Sequence, residues 1–514
     1  MLVDQSWRYA MRDSDRQFYN RLLPPQHPLL DALECIQWDS FIPLLEAHYC
    51  ADRGQPAIPP LLFLKFEFLR YLHRSSDREV IARAETDVIY RWFLQIPVRC
   101  RLPDPSSLVR FRGRLGEEGH QKIFDHLVGL ARQVGLVRDR LRLKDASHMI
   151  AKIAIPSTLK LLAQLREKML EQVTKIDPQM AQGFEIELKR IRCETAKSQG
   201  DKRLETRVEL LREILQFLSQ QNAPDQAAAD PAWQELQAVC DLARKVLDDK
   251  TNPAASDKIV SLVDTDARRS KHGEWYEGYS IDISMDADSQ LITAVDVLPA
   301  GGDEAKSAVK LVSSEQQTHG NQIENFSIDG AGFNGPMLRE LENPEGLNVT
   351  VYTPTRASSA EETIPVSAFE QSADGKCVTC PEGQRSSTRQ RDNSRHRTFF
   401  QFRRATCAGC PLQPKCKPEL GDGKYGGRGV TKNDYEFEHE RARTRTKTEA
   451  YAAVRREHPA IERKINEVMN QQGARHAKYW GRMKTKTQAF MTCFTVNVKR
   501  MTTLQVGMLC ADAS

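Results

Sequence analysis

The sequence predicts an α/β protein, a mixed core of strands and helices that is preceded by a helical region and interrupted twice. Three observations predict it. Apolar spacing is helical as far as residue 140 and switches at Leu141 to strict alternation. A second alternating run, Tyr279, Ile281, Ile283 and Met285, turns through Asp286–Gln290 and returns as Leu291, Thr293, Val295 and Val297, which is a hairpin pattern. A basic, cysteine-rich stretch then breaks the core pattern before a closing helical one.

The elements follow in order. Pro59-Pro60 opens an apolar helix through Leu61, Leu64, Phe68 and Leu72. Ser76-Asp-Arg-Glu79 is a capping box for the next helix, through Ile81, Val88, Ile89 and Phe93. Asp104-Pro-Ser-Ser107 starts a third, with Arg110, Arg112 and Arg114 ahead of the apolar positions Ile123, Leu127 and Leu130. These arginines recur every second residue and so spread around the helix; phosphate contact and plain surface charge are equal readings. Leu141–Asp145 is a short strand ending in an acid. From 157 to 250 the pattern is helical, and the 4,3 spacing of Leu204, Val208, Leu211, Leu215 and Leu218 suits a helical hairpin or coiled-coil seam, bounded by linkers at Asn222–Pro231 and Thr251–Ser256. Ile323–Ile328 is a strand ending at Asp329, Gly335–Leu341 a helix and Leu347–Thr353 a strand; one long helical pattern closes the chain from Pro459 to Met501. The expected division is a helical N-terminal domain over 1–140, core segments over 141–156, 256–365 and 431–514, a helical insertion over 157–255 and a cysteine-rich insertion over 366–430.

Composition narrows the function. At 514 residues, with 40% hydrophobic and 28% charged side chains, the chain is globular and needs two to four domains. The most apolar stretch, Ile58–Leu72, is broken by Lys65 and Glu67, so no transmembrane span is expected. Met1–Gln5 has the makings of no secretory signal, so the chain reads as cytosolic. The net charge of +5 is unevenly spread: Arg385–Lys417 holds nine Lys/Arg against one acid, and Arg463–Arg500 holds nine against one. Two such segments are a footprint for a polyanion, most often nucleic acid, and otherwise two solvated basic faces. Of twelve cysteines, five cluster as Cys377-x2-Cys380, Cys407-x2-Cys410 and Cys416. Paired CxxC motifs in a cytosolic chain, in a segment too poor in apolar residues for a core, point to a structural zinc site held by four of the five, with redox-active or coincidental cysteines as the alternative.

Three acids lie where such a core would gather them: Asp145 ending the first strand, Asp329 ending the fourth and Glu462 starting the last helix. Clustered carboxylates repel and resist burial, and divalent cations remove both costs. Two Mg²⁺ ions held by a few carboxylates clamp the attacking and leaving oxygens of a phosphodiester displacement. Each acid alone also suits a turn or a helix start.

Several motifs, in order, resemble a known family. Gly54-Gln-Pro-Ala-Ile-Pro-Pro60, Ser76-Asp-Arg-Glu79, Tyr90-Arg-Trp-Phe93 and Leu102–Arg112 resemble the N-terminal domain of bacterial insertion-sequence transposases. Lys144-Asp-Ala-Ser-His148 is similar to the family's first catalytic strand, Val263–Arg268 with Glu277–Ser280 and Leu291–Val295 to its next strands, and Ile328-Asp-Gly-Ala-Gly-Phe333 to its second catalytic motif. Ile461–Glu467, Ala477–Gly481 and Asn497-Val-Lys-Arg500 resemble the segment carrying its catalytic glutamate. The resemblance implies an RNase H-like core with a DDE triad of Asp145, Asp329 and Glu462 holding two Mg²⁺ or Mn²⁺ ions, and cut-and-paste transposition. It implies double-stranded DNA partners (terminal inverted repeats and target), a homodimer or higher assembly at synapsis, and a bacterial, nucleoid-associated location. Position 469 is Met where some relatives have Lys, which leaves Glu467 as a fallback acid. Arg463, Lys464, Arg475, Lys478 and Arg482 are candidate phosphate contacts beside the site, or a helix salt-bridged to the acidic remainder. Asp264 and Asp266 either approach the site or form a turn, and His148 either touches substrate or is a core histidine. A metal-dependent nuclease with the same core, and an inactive zinc-stapled DNA-binding descendant, are the rival functions.

Overall fold

The computed structural model describes residues 6–50, 57–179, 181–182, 202–220, 230–252, 257–355 and 364–512. The expected linker residues 222–229 and 253–256, and residues 54–56 of the first N-terminal motif, lie outside them. The central sheet follows from the sequence alternation. Its strands are β1 (Arg142–Ile150), β2 (Arg268–His272), β3 (Glu274–Asp286), β4 (Ile292–Pro299), β5 (Asn325–Ser327) and β6 (Thr350–Tyr352). They lie in the order β4-β3-β1-β5-β6, with β2 paired to the start of β3. The first three are antiparallel neighbours, whereas β5 and β6 run parallel to β1. Three meandering strands followed by two parallel ones make this an RNase H-like mixed sheet, as the resemblance implied.

Before the sheet come short helices and then α1 (Pro60–Leu72), α2 (Asp77–Thr86), α3 (Val88–Leu94) and α4 (Pro105–Gln133). The predicted capping box is formed: Ser76 Oγ accepts from Glu79 N at 3.2 Å, and the Glu79 carboxylate accepts from Ser76 N at 2.7 Å. One apolar core joins these helices to the sheet, from Leu29 through Phe68 and Phe124 to Met285 and Phe494. The helical insertion is a bundle of α5 (Thr158–Ile176), α6 (Lys202–Gln220) and α7 (Pro231–Thr251) with its own core. The heptad-spaced leucines face its core: Leu211 and Leu215 are buried in one cluster with Leu165 and Ala243.

Three elements differ from expectation. β1 does not stop at Asp145 but runs five residues further, because β3 keeps pairing with it as far as Ile150↔Gly278. A helix absent from the sequence reading, α8 (Glu304–His319), follows β4; Asp303 caps it, accepting from Ala305 N and Lys306 N at 3.1 Å. The long closing helix is in fact three pieces. After α9 (Gly335–Leu341), α10 (Glu436–Arg445) and α11 (Glu449–Glu457) comes α12 (Pro459–Asn466), then a π turn over Glu467–Gln471, and finally α13 (Arg482–Asp512). Gly473 and Gly481, with φ of 77° and 85°, supply the left-handed turns between them.

α13 is buried from Gln488 to Val498, and its threonines there satisfy their hydroxyls within the helix, Thr492 donating to Gln488 O and Thr495 to Met491 O at 2.8 Å. Asn497 accepts from Ile292 N at 2.8 Å and donates to Ile292 O at 2.7 Å, so one amide docks the helix onto the backbone of β4. Arg500 donates to Ser289 O in the β3–β4 turn. The Asn497–Arg500 motif therefore does architectural work. So does Asp264, whose carboxylate accepts from Tyr279 OH at 2.6 Å and from Ala267 N; Asp266 accepts from the first amide of α13, Arg482 N. Of the two readings of this pair, the turn is the one the structure shows. No described helix is long and apolar enough to cross a membrane.

Candidate active site

The parallel register of β1 and β5 brings two acids together. Arg142 faces Phe326 and Leu143 faces Ser327, so two residues further along Asp329 comes level with Asp145 as β5 ends. β5 ends there because Asp329 turns the chain: its carboxylate accepts from Ala331 N at 3.0 Å, capping the 3₁₀ turn Gly330–Gly332. Burial pushes the Asp145 carboxyl up to about 6; the Ala146 amide and Lys144 oppose this, and the charges of Asp329 and Glu304 add to it. Lys144, on the opposite face of β1, is fully buried between Asp282 at 3.3 Å and Glu304 at 3.5 Å.

The third acid arrives on helices tied to the end of β5. Arg455 of α11 donates to Ile328 O at 3.1 Å, and His458, at the α11–α12 junction, shares a 3.0 Å hydrogen bond with Ser327 Oγ. Burial and Arg455 hold His458 at about 4, against the pull of Asp329, so it is neutral at pH 7. Ile461 and Ile465 bury the inner face of α12, and Glu462, one turn beyond His458, is exposed. Glu467 is engaged elsewhere, one oxygen with Lys464 at 2.8 Å and the other with Lys499 at 3.1 Å. Among the described residues no three His, Cys, Asp or Glu side chains stand in metal-holding geometry.

The candidate basic residues divide. Arg475 lies along the open half of β1, donating to Ser147 Oγ at 3.2 Å and His148 O at 2.8 Å. Among the described residues it pairs with no carboxylate. Arg463, Arg482, Arg110 and Arg114 are exposed, Arg114 over the Tyr49 ring at 4.3 Å. The Lys478 ammonium stands 4.9 Å from the centre of the Tyr71 ring, at the contact between the N-terminal helices and the core. Two residues expected to hold phosphate are committed internally. Lys464 is buried on Glu467, and Arg112 binds Glu67 at 2.5 Å and Asp77 at 2.6 Å in a network with Arg70. The physical reason is Glu67: a fully buried carboxylate on an apolar helix requires cationic partners. Arg112→Ala is therefore expected to lower stability by about 3 kcal/mol while the folded protein keeps its DNA affinity; thermal melts beside salt titrations of binding measure both.

His148 packs against the Tyr276 ring with centroids 4.8 Å apart. The sequence reading missed Glu304, Arg455 and His458. Glu304 was findable, since Asp303 before Ala305, Ala308 and Val312 is a capped helix start with a core-facing stripe. Arg455 and His458 act on backbone and side chain over 120 residues away, and no local pattern marks them.

The cysteine-rich insertion is a small unit with a three-stranded sheet, β9 (Thr388–Asp392), β10 (Arg397–Gln401) and β11 (Gly429–Asn433), and a two-stranded one, β7 (Glu370–Gln371) with β8 (Val378–Thr379). Cys380, Cys407, Cys410 and Cys416 line one cavity of about 210 Å³; Cys377 is not on its wall.

Two families match. Residues 379–502 match the transposase DDE domain, and residues 17–114 match a transposase domain, DUF772. The two matches support a DDE transposase. Enzymes with this domain cleave and transesterify DNA with divalent metal ions. In this DDE transposase Glu462 lies inside the matched DDE segment, and Asp145 and Asp329 precede it. A cryo-EM structure of the piggyBac transposase synaptic complex with hairpin DNA is similar at 8% identity, over 96% of this chain and 76% of that one, with a TM-score of 0.28. No curated protein matches the chain.

Proposed function

We propose that this DDE transposase mobilises a bacterial insertion sequence: it binds the terminal inverted repeats as a dimer or higher assembly, works on nucleoid DNA in the cytoplasm, and cuts and joins strands using Asp145, Asp329 and Glu462. The observation that carries the proposal is the level pairing of Asp145 with Asp329, beside a helix pair tied to the same strand end and bearing Glu462. The acids suit two Mg²⁺ or Mn²⁺ ions, because Asp145 is a half-buried carboxyl beside a second acid and a dication relieves both burdens. When bound, such ions activate a water or a 3′-hydroxyl and steady the leaving oxygen. The chain's own part is positioning. β1 and β5 fix the two aspartates, neutral His458 and Arg455 hold the α11–α12 junction against β5, and Arg475 offers a guanidinium to a phosphate on the open half of β1. Of the two candidate glutamates, Glu462 is favoured, since both oxygens of Glu467 are taken by lysines. The basic insertion is proposed to carry a structural zinc ion.

The test is a joining assay on DNA carrying the element's flanking repeats, with Mg²⁺ or Mn²⁺. Joining supports the transposase, nicking without joining makes it a nuclease, and specific binding without chemistry makes it the inactive descendant. Arg475→Ala is expected to weaken binding to any sequence and to flatten the salt slope by about one counterion. Fluorescence anisotropy at a series of salt concentrations reads it, and an unchanged slope would remove Arg475 from the phosphate contacts.

A further inference from the structure

We propose that the insertion's zinc is held by Cys380, Cys407, Cys410 and Cys416, with Cys377 outside the site, so that the first CxxC of the sequence is not a zinc knuckle. The proposal is independent of the DNA chemistry. A knuckle needs a tight turn that aims both thiols at one point. Cys407-Ala-Gly-Cys410 is such a turn: Cys410 N donates to Cys407 O at 3.3 Å, and Gly409 has a φ of 81°. Between Cys377 and Cys380, by contrast, the chain is a strand, β8, paired with β7. Side chains alternate along a strand, so residues three apart point to opposite faces. Val378 is buried in the insertion's core and Cys380 shares its side, which places Cys377 on the other. The turn that serves Cys380 comes after it, where Gly383 N donates to Cys380 O at 2.8 Å with a φ of 73°. Cys416 closes the set from the last residue of the short helix Gln413–Cys416.

The surroundings suit thiolates. Arg428 N donates to Cys407 Sγ at 3.4 Å, and the Arg428 guanidinium donates to Cys416 O at 3.0 Å. Arg428 and Lys417 both line the cavity, offsetting the charge of a four-thiolate centre. The unit also needs a staple, since Phe369, Val378, Phe400, Phe402 and Val430 are its whole fully buried apolar cluster among the described residues. The half-buried thiols on the cavity wall close on the ion by side-chain rotation.

The full-length protein, purified without added chelator, tests this in three ways. Metal analysis should give one zinc per chain. Pulse alkylation with iodoacetamide and peptide mass mapping should modify Cys377 at once, and Cys380, Cys407, Cys410 and Cys416 only after a strong chelator. Replacement by Co²⁺ should give the absorption of a tetrahedral four-thiolate site, unchanged in Cys377→Ser and altered in Cys416→Ser. A metal-free protein whose five cysteines react alike with and without chelator would overturn the site. Protection of Cys377 with ready modification of Cys380 or Cys416 would overturn this choice of ligands.

Discussion

Asp329→Asn leaves a folded, DNA-binding protein whose cleavage and joining fall by more than ~100-fold, since even outer-shell partners of a metal ligand cost 10–100-fold when removed. The fold survives because Asp329 has a local structural duty that asparagine can also perform. Its Oδ1 accepts from Ala331 N, and an amide oxygen accepts equally well at a cap. The substitution removes only the charge, and charge is what a cation-binding acid contributes. Asp145→Asn should behave alike in the assay. The glutamates separate the rival third acids. Among the described residues the Glu462 carboxylate has no hydrogen-bond or ion-pair partner, and it is exposed, so Glu462→Gln should lose chemistry at unchanged melting temperature. Glu467→Gln should do the reverse, because its carboxylate joins Lys464 of α12 to Lys499 of α13. A Glu467→Gln protein that is stable but inert would exchange the two roles. Strand-transfer rates beside thermal melts of the four variants decide it.

What the sequence disclosed about this site was local, and what it hid was pairing. Alternation found β3 and β4, and the acids stood out because Asp145 and Asp329 each close a strand pattern. That these strands are parallel neighbours with their acids level is a matter of register, which depends on partners some 180 residues apart. The same cause misplaced the end of β1: the run after Asp145 is polar, yet β3 continues to pair with it. In the closing helix the periodicity was sound, but Gly473 and Gly481 overrode it, and that break is what lets Arg475 lie along β1. A count of lysines and arginines carries no information about burial, which is why it could not tell that Arg112 is held by the buried Glu67 or that Lys464 is itself buried on Glu467. The cysteine spacing is silent on conformation for a related reason: CxxC describes a knuckle only where the intervening residues turn, and between Cys377 and Cys380 they form β8.

The largest stability effect is expected at Arg142, three residues before Asp145, the first of the aspartates proposed for catalysis. Its side chain is completely buried, donating to Asp286 at 2.9 Å and to Glu315 of α8 at 2.7 Å; both carboxylates are themselves fully buried. Arg132 at the end of α4 also reaches Glu315, at 2.7 Å, so one cluster joins the N-terminal helices, β1, β3 and α8. Removing one member of a buried ion network strands the others, at a cost of about 3–5 kcal/mol. Arg142→Ala should therefore lower the melting temperature sharply, and because the cluster also sets β1 against its neighbours, it should lower strand-transfer rate in whatever protein remains folded. Arg142→Met with Glu315→Leu should recover much of the loss, since it removes opposite charges together, and a double-mutant cycle gives their coupling. The pH dependence follows from Glu315. Burial opposes its ionisation, but Arg142 and Arg132 outweigh that and hold it below the usual carboxylate range. Its contribution is thus complete above about pH 4.5 and is lost as the pH falls through the lowered value. Acid unfolding of the wild type should steepen below that point. In the double variant, which has no Glu315 to protonate, the midpoint should depend less on pH over the same range, and an equal dependence in the two proteins would place the acid-sensitive group elsewhere.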